Sequence, residues 1–321
     1  MKIALVTNFL YPDGLGGTEL YCYQLGNALI AHGNEVYWFV PNFNESVTTS
    51  EERGKGIKVI KFACVDNEKK TGIDIIAGSF TGEMRSRDIR IAHFNEFGGD
   101  EGISTGLLAA TKQAGIATVV TLHLASYICK TGTLHVGGKQ PCNGKMIVER
   151  CSSCYLFSNK TSSSWLNLGL TGFFEKIIKN GAVQSLPKLK TLISAVNLKG
   201  VFISSIRDHA DKIVSLTNWF RDVLLINGIA GHKIIYIPQV SPEPGQEIEL
   251  QNKEDRNGYV FVGRINKEKG VDMLLEIATK LKKHLPGVVI DLYGPYTPTD
   301  ALPHTNIANL TSFTNIRYKG I

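Results

Sequence analysis

The chain has 321 residues, of which 43% are hydrophobic and 20% are charged, and its formal net charge is +6. This length exceeds what one hydrophobic core usually serves, and the composition excludes a disordered or fibrous protein, so we expect two globular domains. The mild positive charge favours anionic partners such as nucleotide phosphates without selecting among them.

The N-terminal segment is a short apolar run from Lys2 to Val6 that passes into polar Asn8 and a turn around Gly14. A secretory signal needs a longer apolar region, and a membrane span needs an apolar run of about 18 residues, which the sequence lacks. We therefore expect a cytoplasmic protein. In that compartment the six cysteines are expected as reduced thiols or metal ligands, not as a disulfide framework.

The first part of the chain alternates between β-rich runs and helical segments. After a first strand that ends at Asn8 and a glycine loop, an amphipathic segment from Thr18 to His32 predicts a helix that Gly33 ends. Four further strands are predicted: Glu35–Pro41, Ile57–Phe62, Asp88–Phe94 and Ala117–His123. Strands that alternate with helices indicate a parallel, right-handed, doubly wound sheet.

Residues 155–207 are rich in Leu, Phe, Ile, Lys and Ser at helical spacing, which predicts a helical insertion. Strands at Asp211–Leu216 and Lys233–Ile237, with a helix between them that Thr217 or Asn218 caps, complete a first domain at residues 1–240. The polar, Pro-rich segment 241–257 is expected to be a linker.

A second unit begins at residue 258. It is predicted to contain the strand Tyr259–Val262, the helix Val271–His284, the strand Val288–Tyr293 and a last strand from Ile316. The unit has about 60 residues, whereas a nucleotide-binding half usually has about 100 or more. We therefore expect residues 258–321 to be the start of an incomplete domain.

The loop after the first strand of this second unit carries two cations. Arg264 and Lys269 lie between Gly263 and Gly270, just before the predicted helix. Arginine binds phosphate oxygens through two parallel hydrogen bonds, lysine adds a point charge, and a helix N-terminus favours anions. The pattern is typical of a pyrophosphate site, and a solvated basic loop is the alternative interpretation.

Two features of the first domain have less specific patterns. Gly16 and Gly17 let a ligand approach the backbone at a helix start, which a tight turn explains equally well. His123 and His93 each stand at the end of a predicted strand, where ligands gather in open α/β sheets. A lone histidine is more often structural, so both interpretations stay open.

The segment from Val262 to Leu275, VGRINKEKGVDMLL, closely resembles the VGR-xxx-KG-x-D-x-LL signature of the retaining GT-B glycosyltransferases (family 4-like, group 1). That family includes glycogen-synthase-like and mannosyltransferase-like enzymes. Three further segments agree with the resemblance in order along the chain: Gly16–Glu19, Thr121–His123 and Val214–Pro238. The resemblance implies an α/β protein of two Rossmann-like domains (GT-B), the second one incomplete.

The resemblance also implies roles for particular residues. Arg264 and Lys269 would hold the donor diphosphate, and His123 would contact the donor sugar near the reacting carbon. The backbone of Gly16 and Gly17 would approach the donor phosphate across the cleft. Family members need no catalytic metal, and the departing phosphate helps to deprotonate the acceptor hydroxyl. The sequence shows no obvious pair of carboxylates of the kind that hydrolases use, which fits this mechanism.

Gly294 and Tyr293 match the family more weakly, and the sequence departs from the family at Gln239 and in one missing motif. Gly294 and Tyr293 lie where contacts to the nucleotide base begin in the family. Gln239 follows Pro238 where many relatives have Asn. The family's acidic E-x7-E motif would lie beyond Ile321, so we expect the chain as given to bind its donor weakly.

Four cysteines lie close together in the sequence, within the loop 129–154. Cys129, Cys142, Cys151 and Cys154 have the spacing C-x12-C-x8-C-x2-C. Four thiolates can surround one Zn2+ ion, and a C-x2-C pair commonly ends such a site, so we interpret the cluster as a structural zinc site. Some members of the family carry a similar cysteine-bearing loop. Unliganded thiols or a disulfide pair are the alternatives.

The segment from Trp165 to Lys179 mixes aromatic, aliphatic and basic residues, and Lys188, Lys190 and Lys199 follow it. Such a stretch can lie on an anionic membrane, and helices that pack against their own domain are the alternative. The basic residues of the chain are spread out and form no recognition motif, so we do not expect nucleic acid as a partner.

These observations lead to the expectation of a retaining hexosyltransferase in the cytoplasm or at the inner face of the membrane. It would move a hexose from a nucleotide-diphosphate sugar to a polysaccharide, lipopolysaccharide or glycolipid, with no cofactor required for catalysis. A nucleotide-sugar epimerase on the same scaffold and a non-catalytic nucleotide-binding or interaction module are the alternatives.

Overall fold

A computed structural model describes most of the chain: residues 1–14, 16–42, 48–64, 73–98, 102–136, 140–158, 175, 187–239, 258–266, 269–296 and 315–320. The chain divides into two compact units, Met1–Pro242 and Glu243–Ile321. The predicted linker 241–257 lies outside the described residues. We refer to the two parts as unit 1 and unit 2.

Unit 1 is built on a large, mostly parallel sheet. Its described strands are β1 (Lys2–Val6), β2 (Glu35–Asn42), β3 (Thr49–Arg53), β4 (Ile57–Ala63), β5 (Ile91–Phe94), β6 (Ala117–Leu122), β7 (His135–Val136), β8 (Gln140–Pro141), β9 (Lys212–Ser215) and β10 (Ile234–Tyr236). Eight of these form one sheet in the order β10-β9-β6-β5-β1-β2-β4-β3, and β7 and β8 form a separate hairpin. Every pair in the large sheet is parallel except β3–β4. The predicted parallel, doubly wound sheet is confirmed.

The helices of unit 1 connect these strands. They are α1 (Gly17–Ala31), α2 (Ile73–Ser86), α3 (Thr105–Gln113), α4 (Val148–Ser158), α5 (Pro187–His209) and α6 (Asn218–Ile226). Two of them begin at side-chain caps: Ser104 Oγ accepts from Leu107 N–H, and Thr217 Oγ1 accepts from Phe220 N–H at 3.1 Å. Each cap satisfies an N–H group that the helix itself leaves unpaired. The predicted cap at Thr217 is confirmed.

Both faces of the large sheet are buried. Successive strand residues point to opposite faces, so Val6 and Phe39 belong to one hydrophobic cluster and Leu5 and Trp38 to another. All four side chains are fully buried. A parallel sheet needs this cover on both sides, which is why its strands are almost continuously apolar.

Unit 2 is a smaller α/β layer. It contains β11 (Gly258–Val262), α7 (Val271–His284), β12 (Val289–Tyr293) and β13 (Ile316–Gly320). The three strands are parallel in the order β11-β12-β13. Val271, Leu275 and Ala278 repeat at helical spacing and pack against Ile290 and Leu292 of the central strand. The predicted strand–helix–strand unit is confirmed, with the helix bounds unchanged.

Candidate functional site

The loop between β11 and α7 is held in place by two buried residues. Ile265 is completely buried in the core of unit 2, and its N–H donates to Pro295 O at 2.9 Å. Asn266 is 4% exposed, and its Oδ1 accepts from Lys269 N–H at 3.1 Å. The Asn266 carbonyl also accepts from Val271 N–H at 3.4 Å. These anchors fix the backbone of the loop at the start of the helix.

The side chains of Arg264 and Lys269 are both exposed on this loop. Gly270, in a left-handed conformation with φ of +76°, is the N-cap of α7 and provides no side-chain cap. Asp272 in the first turn accepts from Met273 N–H at 3.0 Å. Two exposed cations therefore lie near a helix N-terminus that no side chain caps. Positive charges and unpaired N–H groups together favour an anion with several oxygens.

Gly294, expected near the nucleotide base, has a structural reason to be glycine. It follows β12 with φ of +140°, in a region that side-chain-bearing residues rarely adopt. A Cβ atom there would collide with the carbonyl oxygen of Gly263. The Gly263 N–H in turn donates to Tyr293 O at 2.9 Å, so the ends of β11 and β12 lie in direct backbone contact.

In unit 1 the strands β1, β5 and β6 are neighbours, and the residues that follow them meet at the carboxyl edge of the sheet. His123 follows β6, and its ring lies edge-on to Tyr21 of α1, with 4.9 Å between ring centroids. Burial lowers the pKa of His123 to about 4, so its ring is neutral at pH 7. Its Nε2 is buried without a hydrogen-bond partner among the described residues.

His93, the other histidine at a strand end, is a structural residue. Its Nε2 lies 2.7 Å from Thr121 Oγ1 on the neighbouring strand. Burial first, and then nearby His123, lower the pKa of His93 to about 3. The ring is therefore a neutral hydrogen-bonding group within the sheet, which agrees with the structural alternative.

The glycine loop before α1 differs from the basic loop of unit 2, because it already contains a carboxylate. Glu19, in the first turn of α1, is only 7% exposed. A Cβ atom on Gly16 would collide with Glu19 Oε2, whereas one on Gly17 would meet nothing within 4 Å. Negative charge is favourable at a helix N-terminus, so the Glu19 carboxylate is stabilised beside Gly16, and Gly17 keeps an open side.

A second carboxylate lies in the same region. Glu96, which follows β5, accepts from Asn8 N–H through Oε2 at 2.9 Å. Burial raises the pKa of Glu96, and Glu19 adds to the increase. Both carboxylates also raise the pKa of the buried Cys22 thiol, for which burial is the largest cause. Glu19 and Glu96 are therefore close enough to interact, and the structure brings together a carboxylate pair that the sequence did not reveal.

Two oxygens at this edge are buried without hydrogen-bond partners among the described residues: Glu19 Oε2 and Asn95 Oδ1. Asn95 is completely buried, and its Nδ2 donates to His93 O at 3.0 Å. An unsatisfied buried polar group costs about 1–3 kcal/mol, so two of them together call for an explanation.

The sequence pattern did not single out Glu19 or Glu96 as a site residue. Glu96 could have been found from the sequence, because it stands just past the end of a predicted strand. The same position was the reason to consider His123. Glu19 could not be found in that way, because it lies on a helix far from any strand end in sequence.

The four clustered cysteines line one small cavity together with residues from the β7–β8 hairpin and α4. Cys151 and Cys154 lie one turn apart on α4, so the segment expected as a loop ends in a helix. Cys129 Sγ lies 3.1 Å from Thr131 Oγ1, and Cys142 Sγ accepts from Gly144 N–H at 3.4 Å. All six cysteines belong to the described residues, and none forms a disulfide.

The predicted structural zinc is not supported. In the described part of the chain, which includes Cys129, Cys142, Cys151 and Cys154, no group of three or more His, Cys, Asp or Glu side chains is placed to hold a metal ion. The spacing brought the sulfurs to one cavity but not into tetrahedral coordination.

The segment considered for membrane contact or for packing against its own domain, Trp165–Lys179, lies outside the described residues except for Glu175. Of the lysines that follow it, Lys190 and Lys199 have described side chains on α5, and the Lys190 side chain is exposed. Among the helices of the described ranges, none is both long and apolar enough to cross a membrane.

No family model matches the sequence, and no curated protein matches it. Solved structures do match the fold. Sucrose-phosphate synthase from Thermosynechococcus elongatus superposes with a TM-score of 0.54 and 16% identity over 99% of this chain and 70% of that chain. Anabaena HepE in complex with UDP gives a TM-score of 0.51 and 12% identity over 100% of this chain and 69% of that chain.

A third match, trehalose-6-phosphate from E. coli bound with UDP-2-fluoro glucose, gives a TM-score of 0.51 and 11% identity over 100% of this chain and 74% of that chain. These neighbours are GT-B glycosyltransferases. The chain therefore has the α/β fold of the GT-B class, as the resemblance implied.

Proposed function

We propose that the protein is a glycosyltransferase that moves a hexose from a nucleotide-diphosphate sugar to a hydroxyl of a polysaccharide, lipopolysaccharide or glycolipid, with retention of configuration. The observation that carries this proposal is the pair of exposed cations, Arg264 and Lys269, at the N-terminal end of α7 in a chain of GT-B fold. A UDP-sugar is the proposed donor, because the HepE structures hold UDP and UDP-glucose.

Loss of a nucleoside diphosphate builds up negative charge on the leaving oxygens. Arg264 binds two of these oxygens at once, and Lys269 adds a second positive charge. The N–H groups at the start of α7 add the helix dipole, and the buried anchors Ile265 and Asn266 hold the backbone of the loop that carries both cations. This arrangement stabilises the departing diphosphate without a metal ion.

Three positions are assigned to the rest of the donor. His123 contacts the transferred sugar through its neutral ring, for which the unpartnered Nε2 is the supporting observation. The backbone at Gly16 and Gly17 contacts the donor phosphate, and the open side of Gly17 supports that contact better than the crowded side of Gly16. Gly294 contributes through the backbone at the end of β12, beside the nucleotide base.

The proposal is tested by calorimetric titration of UDP-, GDP- and ADP-sugars into the wild-type chain and its variants. We expect a UDP-sugar to bind, and Arg264→Ala and Lys269→Ala each to weaken binding about tenfold or more, since a hydrogen bond to a charged group contributes about 1.5–3 kcal/mol. Lys282→Ala, an exposed lysine in the last turn of α7, is the control and is expected to bind as wild type does.

Equal binding by the Lys269→Ala and Lys282→Ala variants would contradict the proposal, as would failure of every nucleotide sugar to bind. Incubation of the donor with simple methyl glycosides then tests the reaction, because the proton NMR coupling of the new anomeric centre distinguishes retention from inversion. Conversion of the sugar while it remains on the nucleotide would indicate an epimerase instead.

A further inference from the structure

Four of the six cysteines line one cavity, at the place where the β7–β8 hairpin meets α4. Cys129 and Cys142 flank the hairpin in sequence, and Cys151 and Cys154 lie one turn apart on the helix. All four are free thiols. The cavity therefore collects two thiols from each of two separate elements.

The hairpin and the helix are in direct contact through these residues. Cys154 Sγ on α4 donates to His135 O on β7 at 3.6 Å. Cys142 is fixed at the base of the hairpin, where its N–H donates to Leu134 O at 2.8 Å. The fold therefore holds the hairpin thiols against the helix thiols without a covalent bond.

The thiol of Cys151 interacts with both hairpin thiols. Burial is the largest influence that raises its pKa, and Cys142 and then Cys129 raise it further. Influences of this kind act between groups that lie close together. Since Cys142 has the stronger effect of the two, it is the first candidate to pair with Cys151.

The surroundings of Cys142 resemble those of reactive cysteines. Its Sγ accepts from Gly144 N–H at 3.4 Å, and the residue is half-buried. Lys130, Lys145 and Arg150 line the same cavity, and none of its described lining residues carries a carboxylate. Cysteines that react with oxidants occur in positively charged, partly exposed places of this kind.

We infer that this cavity is an oxidation site, in which Cys142 and Cys151 join in a disulfide bond when a peroxide reaches them. The Cys142 sulfur attacks one peroxide oxygen and the O–O bond breaks, which gives a sulfenic acid and a hydroxide that takes up the thiol proton as water. The Cys151 sulfur then attacks the sulfenic sulfur, the S–O bond breaks, and a second water leaves. Two thiols and one hydrogen peroxide thus give one disulfide and two waters.

The bond ties the base of the hairpin to α4, and thiol exchange with a small reductant reverses it. Disulfides of this reversible type occur in reducing compartments, where permanent ones are rare. The oxidation is independent of the proposed function, because it uses only thiols outside the candidate donor site.

The test treats the folded full chain with hydrogen peroxide, blocks the remaining thiols with iodoacetamide and digests the protein with trypsin without reduction. Cleavage after lysine and arginine places Cys142 and Cys151 in separate peptides, 140–145 and 151–160. We expect mass spectrometry to show these two peptides joined, with the loss of two hydrogen atoms. Dithiothreitol is expected to separate them.

Variants identify the two sulfurs. Cys142→Ser and Cys151→Ser are each expected to abolish the joined peptides. Cys154→Ser removes the second thiol of peptide 151–160, keeps a donor for His135 O, and is expected to leave the product unchanged. Cys64→Ser is the matched control, because Cys64 is a half-buried thiol outside the cavity, and it is expected to give the wild-type amount.

The same reaction in urea provides the comparison with an unfolded chain. Without the fold to select partners, we expect a mixture of cysteine pairs there, and the folded protein is expected to give the 142–151 pair as its main product. An equal mixture from the folded protein would contradict the inference, as would a disulfide that joins two chains on a non-reducing gel.

Two further results would also overturn it. One is that all four thiols still react with iodoacetamide after peroxide treatment. The other is that the purified protein holds zinc in stoichiometric amount, measured by atomic absorption, and resists oxidation until a chelator removes the metal.

Discussion

The loops that precede α1 and α7 occupy the same place in two α/β units, and they bring opposite charges to a helix N-terminus. The loop after β1 places the buried carboxylate of Glu19 in the first turn of its helix. The loop after β11 leads to its helix with two exposed cations, Arg264 and Lys269. Both loops contain glycines, and both helices begin at a glycine N-cap.

A glycine-rich loop before a helix is therefore not by itself a phosphate site. Glycine permits a close approach to the backbone, but the charges of nearby side chains determine whether an anion or a cation binds favourably there. In unit 1 the protein's own carboxylate lies beside Gly16, and only Gly17 has open space next to it. In unit 2 the side chains add positive charge, so the second loop is the stronger candidate for the diphosphate.

The largest expected loss of stability comes from disturbing the backbone contact between Gly294 and Gly263, beside the basic loop. Gly294→Ala would place a methyl group against Gly263 O at a φ of +140°. Strain and overpacking together are expected to lower the free energy of unfolding by about 3 kcal/mol. Chemical denaturation of the variant measures this loss, and Gly287→Ala, where a Cβ meets nothing within 4 Å, is the control.

A smaller effect on stability is expected from the partly buried His93 of unit 1. The folded pKa of His93 is about 3, below the ordinary value of 6.5, so the unfolded chain binds the proton more readily. Its contribution to stability is present above pH 6.5 and is lost as the pH falls towards 3. We expect the free energy of unfolding to fall by about 1–2 kcal/mol between pH 7 and pH 5 from this group.

Urea denaturation at the two pH values measures this dependence. His93→Gln is expected to reduce the difference between pH 7 and pH 5, whereas His32→Gln, which removes an exposed ring at the end of α1, is expected to leave it unchanged. Equal pH dependence in both variants would mean that His93 is not the group responsible.

The smallest expected effect separates the two glycines before α1. Gly16→Ala forces the Glu19 carboxylate to move and is expected to cost about 1 kcal/mol, because the atom that must shift is the end of a flexible side chain. Gly17→Ala meets open space at the first helical position and is expected to be neutral or slightly stabilising. Thermal unfolding measures the stability of both variants. If Gly17→Ala proved less stable than Gly16→Ala, Glu19 would not lie against Gly16.

Sequence patterns predicted most of the sheet correctly, because buried parallel strands are continuous apolar runs. Strand β3 and helices α2 and α3 were not predicted. The β3 sequence, TSEER, is polar and mostly exposed, so it has no apolar pattern, and only its antiparallel pairing with β4 makes it a strand. Tertiary contact overrides local propensity at such an edge.

Only part of the candidate site could be predicted, because local sequence spacing does not fix the positions of residues on different elements. Arg264 and Lys269 stand in one continuous motif, so local spacing was enough to propose them as site residues. The cysteine spacing led to a zinc prediction that the geometry does not support, because coordination depends on where α4 places Cys151 and Cys154. Spacing along a chain constrains such a site but does not determine its geometry.

Apolar periodicity and one short segment were enough to predict the α/β class, the two units and the basic loop. The interaction between Glu19 and Glu96, 77 positions apart by their numbers in the sequence, arises only in the folded chain, at one edge of the sheet. The physical reason is that a parallel sheet gathers the ends of β1 and β5 side by side, whatever length of chain separates them.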